Sequence, residues 1–387
     1  MRTGRIQWKS LLLCVTPLFA GPPAHFQEHT IATGLTGGYQ VVIADMNGDG
    51  RPDLIALASG MPVLAWYENP SWKRHVIVAN QAHMINCTVA ATDRHGVSVI
   101  VLASEFSNNP KQSAGVVSLL RRNANPEDLW AVTEIDRIPS SHRLRTADID
   151  GSGKPVAINS ALAAADAEPP DYRGSAPLVF YRQNDWKRQS ILPENVGLVH
   201  GIYVTDWDGD GHDEFLTAGF EGIHLFKLGS DGKWKRTEIA QGNPAPWPKS
   251  GSSDVAVGRL GKERFLAAIE PWHGNEVAIY RQAGNEWRRT AIDDSLVDGH
   301  TILTVDLNGD GQDEVVAGYR GLGRSVHIYS AGDTSGGSWS KQFLDRGGMG
   351  AASCAAADLN GDGKPDIVCI GSATANLKWY ENLGAAR

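Results

Sequence analysis

The stretch Asp45-Met-Asn-Gly-Asp-Gly-Arg-Pro-Asp53 returns as Asp206-Trp-Asp-Gly-Asp-Gly-His-Asp-Glu214, Asp306-Leu-Asn-Gly-Asp-Gly-Gln-Asp-Glu314 and Asp358-Leu-Asn-Gly-Asp-Gly-Lys-Pro-Asp366. Four nonapeptides with one carboxylate pattern are not a chance event, so the chain is read as a repeat protein. A fifth copy, Asp148-Ile-Asp-Gly-Ser-Gly-Lys-Pro-Val156, keeps the turn and loses two acidic positions. Worn copies stand at Asp93-Arg-His-Gly96 and Gly258-Arg-Leu-Gly261. The seven starts are spaced by about 50 residues, the length of one four-stranded propeller blade.

Apolar, β-branched runs flank each loop. Gln40-Val-Val-Ile-Ala44 and Ile202-Tyr-Val-Thr205 precede loops; Leu54-Ile-Ala-Leu-Ala58 and Val315-Val-Ala-Gly318 follow them. Each loop therefore joins two buried strands in a hairpin. A third strand ends on an aromatic residue, as in Leu64-Ala-Trp-Tyr67, Leu178-Val-Phe-Tyr181, Val277-Ala-Ile-Tyr280 and Leu377-Lys-Trp-Tyr380. A fourth opens on tryptophan, as in Trp72-Lys-Arg-His-Val-Ile77 and Trp186-Lys-Arg-Gln-Ser-Ile191. The seventh unit has no fourth strand, whereas His25-Phe-Gln-Glu-His-Thr-Ile31 fits that pattern ahead of the first loop. The expected fold is an all-β, seven-bladed β-propeller of four-stranded antiparallel blades, closed by the N-terminal strand in blade seven. Closure of this kind removes an open sheet edge.

Arg2, Arg5 and Lys9 precede an apolar run from Leu11 to Phe19 and the small residues Ala20, Gly21 and Ala24. This is the pattern of a secretory leader, over residues 1–24 with cleavage after Ala20 or Ala24, and the run is too short to span a bilayer. The propeller then occupies residues 25–387 of a secreted or periplasmic protein. Of the cysteines beyond the leader, Cys354 and Cys369 flank one hairpin and could pair or stay as buried thiols; with Cys87 they are too few for a disulfide scaffold. A net charge of −8 argues against nucleic acid or an anionic membrane as partner.

The spacing D-x-[DN]-x-D-G-x-x-[DE] places oxygen ligands at positions one, three, five and nine around a glycine-permitted turn, as in an EF-hand loop without its helices. Structural Ca²⁺ is therefore expected on Asp45, Asn47, Asp49 and Asp53; on Asp206, Asp208, Asp210 and Glu214; on Asp306, Asn308, Asp310 and Glu314; and on Asp358, Asn360, Asp362 and Asp366. Each ion would hold together carboxylates that otherwise repel. On these motifs the chain resembles the FG-GAP or VCBS repeats of integrin α-subunit propellers and of many bacterial secreted proteins, a resemblance specific for fold and weak for function.

Antiparallel strands put the acidic loops on one face and the starts of the innermost strands on the other. Six residues before each loop stand Tyr39, His142, His200, His300 and Ala352, with His83 near the corresponding place in blade two. Loops of that face add Glu105, Arg143, Tyr172, Arg173, Glu221, Trp247, Lys249, Trp272, His273, Tyr319, Arg320 and Arg324. A funnel rich in His, Arg, Tyr and Trp suits β-elimination at a uronic acid: a cation neutralises the carboxylate, a base takes the proton beside it, and an acid protonates the leaving oxygen. The seven blades with Val199-His-Gly201, Asp298-Gly-His300 and Tyr319-Arg-Gly321 resemble single-domain propeller polysaccharide lyases that cut rhamnosyl-glucuronate linkages, and are similar to the propeller of fungal aldos-2-ulose dehydratases.

That resemblance implies a lyase acting on a uronate-containing polysaccharide or oligosaccharide. His200, His300, His142, Tyr319 and Arg320 are its expected catalytic residues, and His83, Arg143, Tyr172, Arg173, Trp247, Lys249, Trp272, His273 and Arg324 its substrate contacts. The imidazoles would also suit an additional divalent metal such as zinc, although no HxH or HExxH spacing marks one. A non-catalytic propeller binding glycan or protein, and a structural module of a larger secreted assembly, are the alternatives. The chain is expected to act as a monomer.

Overall fold

The structure, a computed structural model, describes residues 21–385 except 93–97, 124, 126–127 and 193–196. Most of the leader and the worn loop at Asp93–Gly96 therefore lie outside the described residues. The strands form seven separate four-stranded antiparallel sheets. In six of them the strands follow in chain order from the innermost outward. In the seventh, Ala24–Thr33 lies outermost against Asn376–Ala385, with Phe26 opposite Asn382 and His29 opposite Trp379. The N-terminal strand thus completes blade seven. Its first residue, Ala24, is already buried, and the Gly21 N–H donates to Asp310 Oδ2 at 2.7 Å.

Burial explains why the sheets stand radially. The second strands Asp53–Ala58, Val156–Ala161, Glu214–Gly219, Glu314–Tyr319 and Asp366–Gly371 are buried at every position, because each is covered by a neighbouring blade on both faces. Their near-continuous apolar sequences are what such a position requires. The outer strand Ala131–Arg137 is largely exposed and carries the charges. One apolar cluster joins Val41, Leu54 and Ala56 of blade one to Val368, Ile370 and Leu377 of blade seven, so the ring is closed by packing as well as by strand pairing. Each fully buried Leu or Ile there contributes about 1.5–3 kcal/mol.

The innermost strands pack side by side around the axis. In five of them the register with the second strand skips one residue: Tyr39, His142, His200, His300 and Ala352 have no partner, although both neighbours do. A β-bulge re-aims the extra side chain, and here it turns each one toward the axis. Blade five pairs without a skip at this place, and the irregularity in blade two lies farther along, between Val89 and Ala91. Among the described residues no helix is long and apolar enough to cross a membrane. Cys354 and Cys369 are cross-strand partners, and their sulfurs are joined in a disulfide.

Candidate functional site

The bulged residues and the acidic loops sit at opposite ends of the seven-residue innermost strands, about 20 Å apart at the rise of an extended chain. The bulge end opens into a cavity of about 360 Å³ lined by Tyr39, His83, Phe106, His142, His200, Trp272, His273 and Arg320. Deeper along the axis lies a polar chamber of about 330 Å³, bounded by Tyr39, Arg143, Arg145, Asp254 and His300. His142, His200 and His300 are 1–2 % exposed, and Arg143 is 5 % exposed. Non-glycine residues around this face, among them His83, Glu105, Tyr172, His273 and Asp298, adopt left-handed backbone conformations. Such conformations cost about 1–3 kcal/mol each and gather at functional sites.

Hydrogen bonds orient the imidazoles. His200 Nδ1 lies 2.9 Å from the Ser253 carbonyl, and His300 Nδ1 lies 2.6 Å from the Ala352 carbonyl. A carbonyl only accepts, so both Nδ1 atoms carry the proton and both Nε2 atoms present lone pairs. Gly201 permits the first contact: a Cβ there would meet Asp254 Oδ1 at 2.7 Å and the Ser253 carbonyl at 3.0 Å. His273 Nδ1 lies 3.3 Å from both Asp298 Oδ1 and the Arg320 guanidinium, and its Nε2 lies 3.2 Å from His200 Nε2. His300 Nε2 is buried without a hydrogen-bond partner. Tyr39 Oη bridges His142 Nε2 at 2.9 Å and Arg143 at 3.3 Å.

Burial first, then the Arg143 charge, holds His142 and His200 well below the usual imidazole range. Burial and Arg320 do the same for His300, and push His273 down to about 3. All four are therefore neutral near pH 7 and free to accept a proton or ligate a metal.

The ligand atoms of His200, His273 and His300 lie within 4.8 Å of one another. An edge of a tetrahedron built on zinc–nitrogen bonds measures about 3.4 Å, close to the His200–His273 separation. The Nδ1 bonds to main-chain carbonyls are the orienting contacts that metal-bound histidines make. With the orphaned His300 Nε2, the three residues fit a divalent metal.

The two arginines differ. Arg320 is clamped on Asp298, with contacts of 3.1 and 2.9 Å, so its charge is already compensated. Among the described residues the hydrogen-bond partners of Arg143 are Tyr39 Oη and His200 Nε2; no carboxylate is in ion-pair contact with it, although its charge acts on the Asp254 carboxyl across the same chamber.

Other expected site residues fall elsewhere. Tyr319 is buried within blade six, donates to the Gly323 carbonyl at 3.1 Å and packs at a tilt against His327; strand alternation turns it into the blade, away from the axis. Tyr172 is a buried platform under the rim, donating to the Asn108 carbonyl and standing edge-on to Trp272. Arg173 is exposed, paired with Asp171 and 4.3 Å from the Trp247 ring, so these two and exposed Lys249 form outer rim. Arg324 is half-buried beside Gly350, outside the funnel lining. His83 reaches the cavity from the loop before blade two, not from a bulge. Tyr39, Ser253, Asp298 and Phe106 join the site without having been assigned a role. For Tyr39 the signal was present, since it shares the register of the histidines.

On the opposite face the four acidic loops share one hydrogen-bond pattern. Asp45 takes the N–H groups of Gly48, Asp49 and Gly50, and Asp206, Asp306 and Asp358 do the same in their own loops. The ninth residues Asp53, Glu214, Glu314 and Asp366 are buried and accept from the N–H of position two. Burial, then the neighbouring Asp310 and Asp306, pushes Glu314 up to about 7 against the backbone bond from Leu307. The worn loops borrow from the next blade: Asp213 accepts the N–H of Asp148, and Asp313 that of Arg259, both at 2.7 Å.

Fold and site define a seven-bladed β-propeller with FG-GAP-like repeats and a histidine-lined axial funnel. The profile of the FG-GAP-like repeat matches residues 306–369, and that of the aldos-2-ulose dehydratase β-propeller domain matches residues 114–283. Aldos-2-ulose dehydratase of Phanerodontia chrysosporium is 25% identical over an aligned length of 261 residues, with 59% of this chain and 28% of that protein covered. The chain is thus a distant homologue of that enzyme's propeller and spans under a third of its length. Virginiamycin B lyase from Staphylococcus aureus superimposes with a TM-score of 0.57 at 10% identity, over 92% of this chain and 99% of that one. An Agrocybe aegerita lectin that recognises non-reducing terminal N-acetylglucosamine does so with 0.52 at 15%, over 90% and 87%. These two likenesses concern the fold alone.

Proposed function

We propose that the funnel catalyses an elimination on a sugar: removal of a proton beside a carbonyl or carboxylate, with loss of the oxygen substituent one carbon further on. The carrying observation is the convergence of the neutral imidazoles of His200, His273 and His300, the first and last of them buried, beside a guanidinium with no carboxylate in ion-pair contact. Arg143 would meet the anionic or enolic oxygen of the substrate, the role expected of Arg320, whose charge Asp298 already takes. An imidazole of the His200, His273 and His300 group accepts the proton; the C–O bond breaks as the C=C bond forms, and a second protonated group delivers a proton to the departing oxygen. Tyr39, held by His142 and Arg143, is placed to be that donor. Trp272 offers a face for the ring. If His200, His273 and His300 instead held a divalent metal, that ion would supply Lewis-acid stabilisation of the developing oxyanion in place of their role as base, since one lone pair cannot serve both.

The same chemistry serves two substrate classes. With a glycosidic leaving group it is a lyase on a uronate-containing glycan; with hydroxide it is dehydration of an aldos-2-ulose, the substrate class in the name of the homologue. A volume near the lower end of ligand pockets suits one or two sugar rings. On the other face we propose that Ca²⁺ staples the acidic loops. Secretion or a periplasmic location, and action as a monomer, complete the reading.

The deciding experiment incubates the protein with a panel of uronate polysaccharides and a panel of aldos-2-uloses, following the ultraviolet absorbance of an unsaturated product. Product from the first panel identifies a lyase, and product from the second a dehydratase. Silence in both, with saturable glycan binding by calorimetry, would replace the elimination reading with that of a binding propeller.

A further inference from the structure

The third strand of each blade places one residue opposite the ninth position of its acidic loop. Position ten pairs with the aromatic residue: Leu54 with Tyr67, Phe215 with Phe226, Val315 with Tyr329 and Ile367 with Tyr380. The residue after that aromatic is Glu68, Lys227, Ser330 and Glu381 in turn, and Arg182 in blade three. In blades one, three, four and seven its side chain meets position three of the loop. Glu68 accepts from Asn47 Nδ2 at 3.4 Å, and Glu381 from Asn360 Nδ2 at 3.1 Å. In blade four the contact reverses its chemistry: Lys227 Nζ lies 2.5 Å from Asp208, 2.8 Å from Asp210 and 2.9 Å from Glu214. Blade three repeats this with Arg182 2.7 Å from Asp150.

Position three and the third-strand residue therefore change together. Asparagine stands with glutamate or serine in blades one, six and seven, and aspartate stands with a base in blades three and four. The oxygens of Asp206, Asp208 and Asp210 lie within 4.8 Å of one another, the convergence a cation requires, and Lys227 supplies a cation from within the chain. A divalent ion there would have to share three carboxylates with an ammonium about 3 Å away, a repulsion of several kcal/mol at a protein surface.

We propose that Lys227 is the resident cation of blade four, and that this loop, despite its complete ligand spacing, takes no calcium, whereas the loops of blades one, six and seven do. The inference rests on the calcium reading of the loops given above. It makes the residue after the third-strand aromatic the determinant of which blades bind metal.

The test counts calcium equivalents by elemental analysis of protein dialysed against micromolar Ca²⁺. Wild type is compared with Lys227→Met, with Lys227→Glu, which installs the third-strand glutamate of blades one and seven, and with Asp210→Asn and Asp310→Asn in blades four and six. The expected result is one additional equivalent in each Lys227 variant, no change in Asp210→Asn and one equivalent fewer in Asp310→Asn. Loss of an equivalent in Asp210→Asn, or no gain in either Lys227 variant while Asp310→Asn loses one, overturns the assignment and leaves the calcium reading intact. Absence of calcium from wild type and all variants overturns both.

Discussion

His300 provides the sharpest test of function against structure. A buried histidine kept for stability should be costly to remove, whereas one kept for chemistry can be a burden to the fold. Its Nδ1 makes a single bond to the Ala352 carbonyl, and its Nε2 is buried without a partner. Replacement by leucine, of similar size, loses that bond, about 1 kcal/mol. It also deletes an orphaned polar atom whose burial costs about 1–3 kcal/mol. The net expectation for His300→Leu runs from no change to a gain of about 2 kcal/mol. At about 2 °C per kcal/mol, the lower end for domains of a few hundred residues, Tm would rise by up to about 4 °C. Activity should fall by a factor of about 10²–10⁴, the usual share of a proton-transfer residue. Melting is to be measured after treatment with a chelator selective for transition metals, so that a lost metal does not enter the difference and the acidic loops are left alone. A fall in Tm of several degrees with turnover intact would refute the reasoning and make His300 a structural residue.

Three further outcomes follow from the packing. Burial pushes the Asp293 carboxyl up, but Lys341, Tyr329 and Ser295 outweigh it and bring it down to about 2 from 3.8. Its contribution, on the order of 2 kcal/mol, is therefore full above about pH 4 and is lost as pH falls through about 2; acid titration of stability should show this window in wild type and not in Asp293→Asn. A chain starting at Gly34 lacks the outer strand of blade seven and bares the edge of Asn376–Ala385, so it should self-associate in light scattering, and a peptide of residues 24–33 added in trans should restore the monomer. Replacing both Cys354 and Cys369 by alanine opens a loop of 15 residues, and denaturant titration should show a loss of up to about 3 kcal/mol; an unchanged midpoint would mean that the pairing of the two innermost strands of blade seven already holds that hairpin without the bond.

How far the sequence could be read depended on whether a feature was repeated. The acidic nonapeptides, the third-strand aromatics and the tryptophans opening fourth strands recur, so blade count, strand order and closure by His25–Ile31 were all legible. The ring of Tyr39, His142, His200 and His300 was legible for the same reason, as a register position. Tyr319 misled because its place at a strand end is shared by residues that do line the mouth, and only the facing of one strand turns it into blade six. Arg143 and Arg320 are indistinguishable in sequence. Their difference lies in Asp298, a residue whose left-handed backbone and position across a loop bring it onto one guanidinium and not the other.

The sequence by itself determined the repeat, hence the propeller, because strand periodicity and turn chemistry are local and each unit states them again. Tertiary structure alone decided what the repeats could not state about themselves. Bulges in the innermost strands turn His200 and His300 onto one axis, and the loop after the second strand of blade five brings in His273, 73 and 27 residues away along the chain, so that the three converge within 4.8 Å. On the opposite face, the pairing of third strand with second inside each blade sets Lys227 into one acidic loop and Glu68 beside another. The first is a contact between neighbouring blades and exists only once the ring has closed; the second joins residues 17 to 21 apart and is fixed by the register of strands within one blade.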